Sequence, residues 1–173
     1  MEFELWGREE ARARRDELME LWLRAFAGPP YHVGPEELPR VGGLFDRHTE
    51  VPGFRLVAAL HRGGVVGFAY GFPRRPGEPW TEEVAASLPR RRRGWLRDAF
   101  GFVEIAVDPA FQGLGVGSTL HDRLLGSAGQ GRAVLTVHAE APAVGFYRRR
   151  GWRELGRLRA SPYLIMGRSL AGR

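Results

Sequence analysis

Glycine at every second position of one short loop constrains this chain more than any other part of its sequence. Gly113, Gly115 and Gly117 follow an apolar stretch at residues 101–107 and an Asp-Pro pair, and a helical pattern begins directly after them. Glycine adopts sharp backbone turns that other residues avoid, and it lets a ligand oxygen come close to the main chain. The first turn of the helix adds unpaired N–H groups and a positive dipole end. We therefore predict a phosphate site made of main-chain atoms.

Two common phosphate loops do not fit this spacing. A P-loop requires a lysine after its last glycine, and all 26 basic residues of the chain are arginine. A dinucleotide-binding fingerprint requires G-x-G-x-x-G, and Ser118 occupies the place of its third glycine. The remaining form is Q/R-x-x-G-x-G/A, which residues 112–117 satisfy. Taken alone, the glycines are also compatible with an ordinary strand-to-helix turn.

Two stretches of the chain carry a family resemblance. Residues 103–125, VEIAVDPAFQGLGVGSTLHDRLL, resemble motif A of the GNAT (Gcn5-related N-acetyltransferase) family. Residues 143–152, AVGFYRRRGW, are similar to that family's pattern A-x-x-F-Y-x-x-x-G-F and stand at the expected distance. Together they cover about residues 101–158, whereas residues 28–52 and 73–100 match no motif. The second stretch favours the family over an ordinary turn.

Hydrophobic periodicity predicts one domain of mixed α and β structure over residues 1–173. Strands are predicted at residues 3–5, 54–60, 65–72, 101–107, 132–138, 152–158 and 163–168. Helices are predicted at residues 8–27, 81–88, 116–126 and 142–150. Prolines and a glycine pair interrupt residues 31–52, so at most a short helix is expected there. The resemblance implies the GNAT fold of the α/β (mixed α+β) class, with a central, mostly antiparallel, splayed sheet flanked by helices.

The resemblance also implies acetyl-CoA as cosubstrate and no metal. In this family the strand before the glycine loop pairs through its backbone with the pantetheine arm, a role that falls here to Ile105, Ala106 and Val107. The loop backbone holds the cofactor pyrophosphate. The residues of the loop are Gln112, Gly113, Leu114, Gly115, Val116 and Gly117.

Two side chains are candidates for the proton transfers that accompany attack of an amine on a thioester. Tyr147 matches a tyrosine that in this family often lies near the CoA sulfur as general acid, and a phenol can protonate a thiolate without being ionised at neutral pH. Core packing is an equal alternative for this ring. Glu104 lies between apolar residues where related enzymes often carry a glutamate, and burial would make it a usable base. Pairing with an arginine is its alternative.

One position departs from the family pattern. Seven residues before the tyrosine, where an asparagine often contacts the cofactor region, this chain has Glu140, so that role is not transferred.

The chain has no cysteine, which excludes disulfides and an acyl-cysteine intermediate, and its five histidines lack metal-ligand spacing. Direct transfer in a ternary complex is therefore expected.

Charge and loop composition leave several interpretations open. The net charge of +6 favours anionic partners such as nucleic acid, an acidic surface or CoA. For the arginines at residues 90–93, a solvated loop is favoured over a nucleic-acid patch, and contact with the CoA 3′-phosphate or an acidic substrate is a third reading. Four aromatic residues are candidates for an acceptor pocket or for the core. They are Tyr31, Tyr70, Trp80 and Trp95.

The sequence thus predicts an N-acetyltransferase that moves an acetyl group from acetyl-CoA to an amine acceptor, either a small molecule or a peptide. A non-catalytic acyl-CoA-binding module of the same fold is the first alternative, and an arginine-rich nucleic-acid-binding protein is the second. The acidic start of the chain and the absence of a long apolar run predict a cytoplasmic protein without a membrane partner. The family often dimerises, so a homodimer is also an expectation.

Overall fold

The computed structural model describes residues 1–170, and within them seven strands form one sheet in the order β1-β2-β3-β4-β5-β7-β6. The strands are β1 (Glu2–Trp6), β2 (Arg55–His61), β3 (Gly64–Pro73), β4 (Ala99–Val107), β5 (Arg132–His138), β6 (Arg153–Arg157) and β7 (Tyr163–Ser169). β4 pairs with β5 in parallel, and the pairs β1–β2, β2–β3, β5–β7 and β6–β7 are antiparallel. The predicted mixed, mostly antiparallel sheet is confirmed.

Six α-helices and three short 3-10 helices connect these strands in residues 1–170. The α-helices are α1 (Arg8–Ala13), α2 (Arg15–Phe26), α3 (Leu38–Thr49), α4 (Pro79–Ser87), α5 (Val116–Ser127) and α6 (Ala143–Arg149). The 3-10 helices are Pro35–Glu37, Arg90–Leu96 and Pro109–Phe111. No helix of this part of the chain is both long enough and apolar enough to cross a membrane.

Two predictions about the N-terminal third were wrong. The single helix predicted over residues 8–27 is broken at Arg14, which leaves helical geometry with φ −111° and ψ 20°. The expectation of at most a short helix in residues 31–52 missed the twelve-residue α3. Pro39 lies in the first turn of α3, where a backbone N–H has no helical partner to lose. Gly42 is a packing residue, because a Cβ there would stand 2.5 Å from Nη2 of Arg15.

The chain forms two compact units. The first contains Met1–Phe72 and Val103–Ser127. Its core is a cluster of buried aromatic and aliphatic side chains from α1, α2, α3 and strands β1–β4. Among its largest fully buried members are Phe45, Phe68 and Phe72.

The second unit contains Pro73–Phe102 and the chain from Ala128 onward. A smaller cluster of buried side chains joins α4 and the 3-10 helix Arg90–Leu96 to the strands of this unit. Its members are Val84, Leu88, Leu96, Ala99, Val134, Leu155 and Ile165. That residues 1–173 act as a single domain stays a prediction.

Candidate active site

The glycine loop lies between the end of β4 and the start of α5, in the first unit. Gly113 and Gly115 have φ values of 75° and 82°, in the left-handed region that favours glycine. A Cβ at either residue would meet no atom within 4 Å, so the space beside the backbone is open. Asp108 prepares the turn, since its side chain accepts a hydrogen bond of 2.9 Å from the N–H of Ala110. The loop is therefore built as predicted, with an accessible main chain.

A glycine on β3 positions the helix that follows the loop. A Cβ at Gly67 would stand 3.0 Å from Cδ1 of Leu120 and 3.3 Å from Cγ1 of Val116. Both of these residues are buried on α5. The first turns of α5 thus pack closely against β3 at Gly67, and this packing helps to position the helix N-terminus with its free N–H groups.

The backbone of β4 presents alternate residues to opposite sides. The N–H of Asp108 donates to β3 over 2.9 Å, so the main-chain groups of Val107 and, by alternation, Ile105 are directed away from β3. The carbonyl oxygen of Val107 accepts a bond of 3.0 Å from Nε2 of Gln112. The N–H of Ile105 donates over 3.1 Å to the carboxylate of Glu104. The side chains of Glu104 and Gln112 therefore form hydrogen bonds with two main-chain groups on the side of β4 where an added strand would pair.

Glu104 is a desolvated carboxyl group with two defined donors. Its Oε2 accepts a hydrogen bond of 3.2 Å from Nε1 of Trp22 on α2, and its Oε1 accepts from the N–H of Ile105. Burial raises the pKa of Glu104 from its ordinary value of 4.5 to about 7, and the two hydrogen bonds offset part of that rise. No arginine of residues 1–170 forms an ion pair with it, so the alternative of a structural ion pair fails. A carboxyl group with this pKa can accept and release a proton near neutral pH.

Three aromatic rings, those of Trp22, Phe26 and Tyr31, contact one another in sequence next to the carboxyl group of Glu104. Trp22 and Phe26 contact each other with ring centroids 5.4 Å apart, and the ring of Tyr31 meets Phe26 edge-on at 5.0 Å. Burial, and to a smaller extent the charge of Glu104, raise the pKa of the Tyr31 hydroxyl. Tyr31 is therefore within electrostatic reach of the carboxyl group while it keeps 39% of its surface exposed.

Tyr147 belongs to the second unit and lies on α6. It is buried, and its ring has edge-on contacts with Phe102, Phe146 and Trp152 at centroid distances of 5.4 to 5.9 Å. Its carbonyl oxygen accepts hydrogen bonds from the N–H groups that follow α6. The ring therefore has the packing role that was its alternative, and a catalytic role for its hydroxyl stays a prediction.

Comparison with known proteins identifies the family. A family model described as "Acetyltransferase (GNAT) family" matches residues 15–152, a span that includes the glycine loop, Glu104 and Tyr147.

The chain belongs to the GNAT acetyltransferase family.

Individual relatives agree with this assignment. The chain is 31% identical over 123 residues to a GCN5-like protein acetyltransferase of Mycobacterium tuberculosis, a match that covers 66% of the chain and 56% of the relative. It is 34% identical over 100 residues to the chloroplastic serotonin N-acetyltransferase 2 of Oryza sativa subsp. japonica, covering 47% and 50%. The chain thus spans about half the length of the curated relatives it matches.

A solved structure shares the GNAT fold. PaiA N-acetyltransferase from Thermoplasma acidophilum, in complex with coenzyme A, superimposes with a TM-score of 0.62 at 14% identity. The match covers 98% of this chain and 99% of the other. Both the sequence resemblance and the fold predicted from it are therefore confirmed.

The structure divides the predicted GNAT site residues between the two units. Glu104, the three residues 105–107 and the loop 112–117 lie in the first unit, and Tyr147 lies in the second. Glu140 is exposed, and its N–H donates over 3.1 Å to Nδ1 of His138. Within residues 1–170, no group of three or more His, Asp or Glu side chains is arranged to hold a metal ion.

The four aromatic candidates for an acceptor pocket differ in environment. Tyr31 is partly exposed near Glu104, whereas Tyr70 is buried in the first core, with its hydroxyl 2.9 Å from Nδ1 of His48. Trp80 carries the guanidinium of Arg74 over its ring at 3.9 Å. Trp95 packs against Gly167 of β7. Only Tyr31 therefore combines exposure with a described interaction with a catalytic candidate.

Trp22 was not predicted from the sequence as a functional residue. Its helical spacing placed it among the apolar residues of α2, and its contact with Glu104 joins positions 82 residues apart. An indole N–H in an otherwise apolar helix face was the available signal, because a buried indole normally needs an acceptor.

Proposed function

We propose that this protein is an N-acetyltransferase that transfers the acetyl group of acetyl-CoA directly to a primary amine. The observation that carries the proposal is Glu104, a desolvated carboxyl group with a pKa of about 7, directly before the strand segment 105–107 assigned to the cofactor. A desolvated carboxyl group that titrates near neutrality is typical of a catalytic site, and binding of acyl-CoA alone does not require one.

The proposed cofactor site consists of main-chain groups of the first unit. The open backbone at Gly113 and Gly115 and the N-terminus of α5 would hold the pyrophosphate of coenzyme A. Ile105, Ala106 and Val107 would pair with the pantetheine arm, which requires the Gln112 amide to release the carbonyl oxygen of Val107. The coenzyme A bound to the related PaiA N-acetyltransferase supports this choice of ligand.

Glu104 would act as general base on the acceptor. Most alkyl amines arrive protonated at neutral pH, so a base must remove one proton before or during the attack on the thioester carbon. The ammonium proton would pass to the Glu104 carboxylate, directly or through one water molecule. The attack then forms the C–N bond, the C–S bond of the thioester breaks, and the nitrogen releases its second proton to the solvent. The hydroxyl of Tyr147 would give a proton to the departing thiolate and regain one from the solvent.

The acceptor would be a small-molecule or peptide amine. Both classes occur among the names of similar proteins: one relative is a protein acetyltransferase, and another is a serotonin N-acetyltransferase. We further propose that transfer occurs in a ternary complex without an acyl-enzyme, since the chain has no cysteine. We also propose a cytoplasmic location and a homodimer.

The test is a pH series of acetyl transfer with the wild type and the variant Glu104→Gln. Thiol release from acetyl-CoA is measured against a panel of polyamines, amino acids, aromatic amines, aminoglycosides and peptides. We expect kcat/KM to rise with pH around an inflection near 7, and the variant to lose roughly 100- to 10,000-fold with a flat profile. Glu140→Gln, an exposed carboxyl group, is the matched control and should keep both rate and profile.

Two results would refute parts of the proposal separately. If millimolar acetyl-CoA fails to raise the melting temperature, the cofactor assignment is wrong, because any ligand of the native state must stabilise it. If acetyl-CoA binds but the whole panel gives no transfer, the acyl-CoA-binding module is the correct function. Parallel initial-rate lines together with a trapped acyl-protein would replace the ternary complex by a covalent mechanism.

A further inference from the structure

The arginine run at residues 90–93 does not form one uniform surface. It lies in the 3-10 helix Arg90–Leu96, where the predicted solvated loop was expected. Nη1 of Arg92 donates over 2.6 Å to the carbonyl oxygen of Leu155, and Nε of Arg93 donates to that of Leu88. Two of the four arginines thus anchor the helix to the rest of the second unit.

Arg91 instead lines a cavity of about 350 Å³, and two further arginines also line it. The residues around it are Arg91, Gly94, Trp95, Arg132, Arg153 and Ser169. They come from the 3-10 helix, the start of β5, the start of β6 and the end of β7, so the fold and not the local sequence brings the charges together.

Two of these guanidinium groups are held in place by neutral partners. Nη1 of Arg132 donates over 2.7 Å to the carbonyl oxygen of Gly94. The guanidinium of Arg153 lies over the ring of Trp95, 5.1 Å from its centroid. The indole is itself fixed against β7, since a Cβ at Gly167 would stand 2.8 Å from its Cε3. These contacts order the cations without neutralising them.

The nearby carboxylates have other partners. Asp98 accepts a bond of 2.9 Å from the N–H of Gly131, and Glu154 stands 3.7 Å from Nη2 of Arg148. Within residues 1–170, no ion pair involves Arg91, Arg132 or Arg153. Three cations around one small cavity repel one another, so an anion placed among them gains from all three.

A phosphate group fits this arrangement better than a carboxylate does. One guanidinium satisfies a carboxylate through two parallel hydrogen bonds, whereas three arginines from three elements can surround the several oxygens of a tetrahedral dianion. Ser169 adds a polar, uncharged residue to the lining. The volume suits one phosphate group and a small attached moiety. Arg92 and Arg93 donate hydrogen bonds to carbonyl oxygens of the protein, so the run does not form the continuous basic surface that a nucleic acid would need.

We propose that this cavity is a binding site for a small phosphate-bearing anion, separate from the acetyl-transfer chemistry. Every lining residue belongs to the second unit, and none of them is among the residues assigned to the pantetheine arm, the pyrophosphate or the proton transfers. The ligand is either inorganic phosphate or a phosphomonoester, because both offer the same dianionic head.

Isothermal titration calorimetry of the full chain tests the site with inorganic phosphate and with glycerol 3-phosphate, at ionic strength held constant with chloride. The test variant is Arg91→Gln/Arg153→Gln, which spares Arg132 and its backbone bond. The matched control is Arg157→Gln/Arg159→Gln, which removes the same charge from exposed residues of the same unit. Because the glycine loop could also take phosphate, the comparison of the two variants locates the binding.

We expect saturable binding in the wild type and the control, weakened roughly tenfold or more in the test variant. Equal affinity for both probes identifies free phosphate as the ligand, and tighter binding of the ester identifies a phosphorylated small molecule. Should the double variant not fold, Arg91→Gln alone decides the question, with a loss of several-fold expected.

Three results would overturn the proposal. The first is identical phosphate affinity in all three proteins, which would place the anion elsewhere. The second is the absence of saturable binding up to tens of millimolar phosphate. The third is tight, salt-sensitive binding of a single-stranded RNA without measurable phosphate binding, which would make the arginines part of an extended nucleic-acid surface.

Discussion

The candidate sites of the two units differ in the charge that their surroundings favour. Around Glu104 the structure disfavours charge, since this desolvated carboxyl group has a pKa of about 7 and no cationic partner among residues 1–170. In the cavity of Arg91, Arg132 and Arg153 the structure gathers three cations and directs the neighbouring carboxylates elsewhere.

The difference separates a group that reacts from groups that bind. Proton transfer at neutral pH requires a group close to its midpoint, and burial is what brings a carboxyl group there. Binding an anion requires charges that persist at every physiological pH, which guanidinium groups supply. The glycine loop is a third case, because it would attract phosphate through main-chain dipoles without any side-chain charge.

The strongest way to break this comparison is to measure what the charge on Glu104 costs the fold. Its folded-state pKa lies above its unfolded value, so its contribution to stability is fully present below pH 4.5 and is lost as the pH rises through about 7. Glutamine does not titrate. We therefore expect Glu104→Gln to match the wild type near pH 4.5 and to exceed its free energy of unfolding by up to about 3 kcal/mol at pH 8.5.

Urea unfolding at a series of pH values measures this difference. Glu140→Gln is the control, because an exposed carboxyl group keeps its hydration in the folded state, and its curve should follow the wild type. A constant difference between Glu104→Gln and wild type across the range would mean that Glu104 is charged at little cost. The contrast between the two units would then disappear.

A variant of the glycine loop, with a smaller expected effect, tests whether the cofactor is bound by main-chain atoms and not by charged side chains. Gly115→Val places a β-branched residue at a φ of 82°, a strained conformation that costs roughly 1–3 kcal/mol or distorts the loop. We expect the KM for acetyl-CoA to rise tenfold or more while phosphate binding at the arginine cavity is unchanged.

Gly126→Ala provides the matched control for that experiment. Gly126 lies in α5, a Cβ there would meet no atom within 4 Å, and its φ is not positive. Alanine should therefore be neutral or slightly stabilising, by up to about 1 kcal/mol. An unchanged KM in Gly115→Val would show that the loop backbone does not contact the cofactor.

What could be predicted from the sequence follows from the range of the interactions involved. The glycine loop was predictable because positive φ, a proline after the strand and the start of a helix are local properties. Glu104 was predictable as a strand carboxylate between apolar neighbours. Its pKa was not, because that depends on the burial created by α2 and on an indole 82 residues away.

The failures have the same origin. The glycine pair of α3 indicated a break, yet the helix continues through it, and a guanidinium from α2 packs against Gly42. Three arginines of the run are exposed, as the favoured interpretation expected, yet Arg92 and Arg93 also anchor a 3-10 helix and Arg91 lines a cavity. In both regions, partners outside the local sequence add a role that local composition does not show.

The smallest expected effect concerns the donor that tunes Glu104. The hydrogen bond from Nε1 of Trp22 lowers the pKa of the carboxyl group against the effect of burial. Trp22→Phe keeps the apolar ring and removes this donor, so the pKa should rise further above 7. We expect the inflection of kcat/KM to move upward by roughly half to one pH unit, with a modest loss of rate at pH 7.

Trp6→Phe is a closely matched control for this last variant. Trp6 is also buried and also donates its Nε1–H to a carboxylate, Glu4, over 2.7 Å, but that carboxylate is not a catalytic candidate. The control should leave the inflection where it is, so a shift common to both variants would reflect lost packing only. An inflection that stays put or moves downward in Trp22→Phe alone would mean that the group titrating in the rate profile is not the carboxyl group that Trp22 contacts.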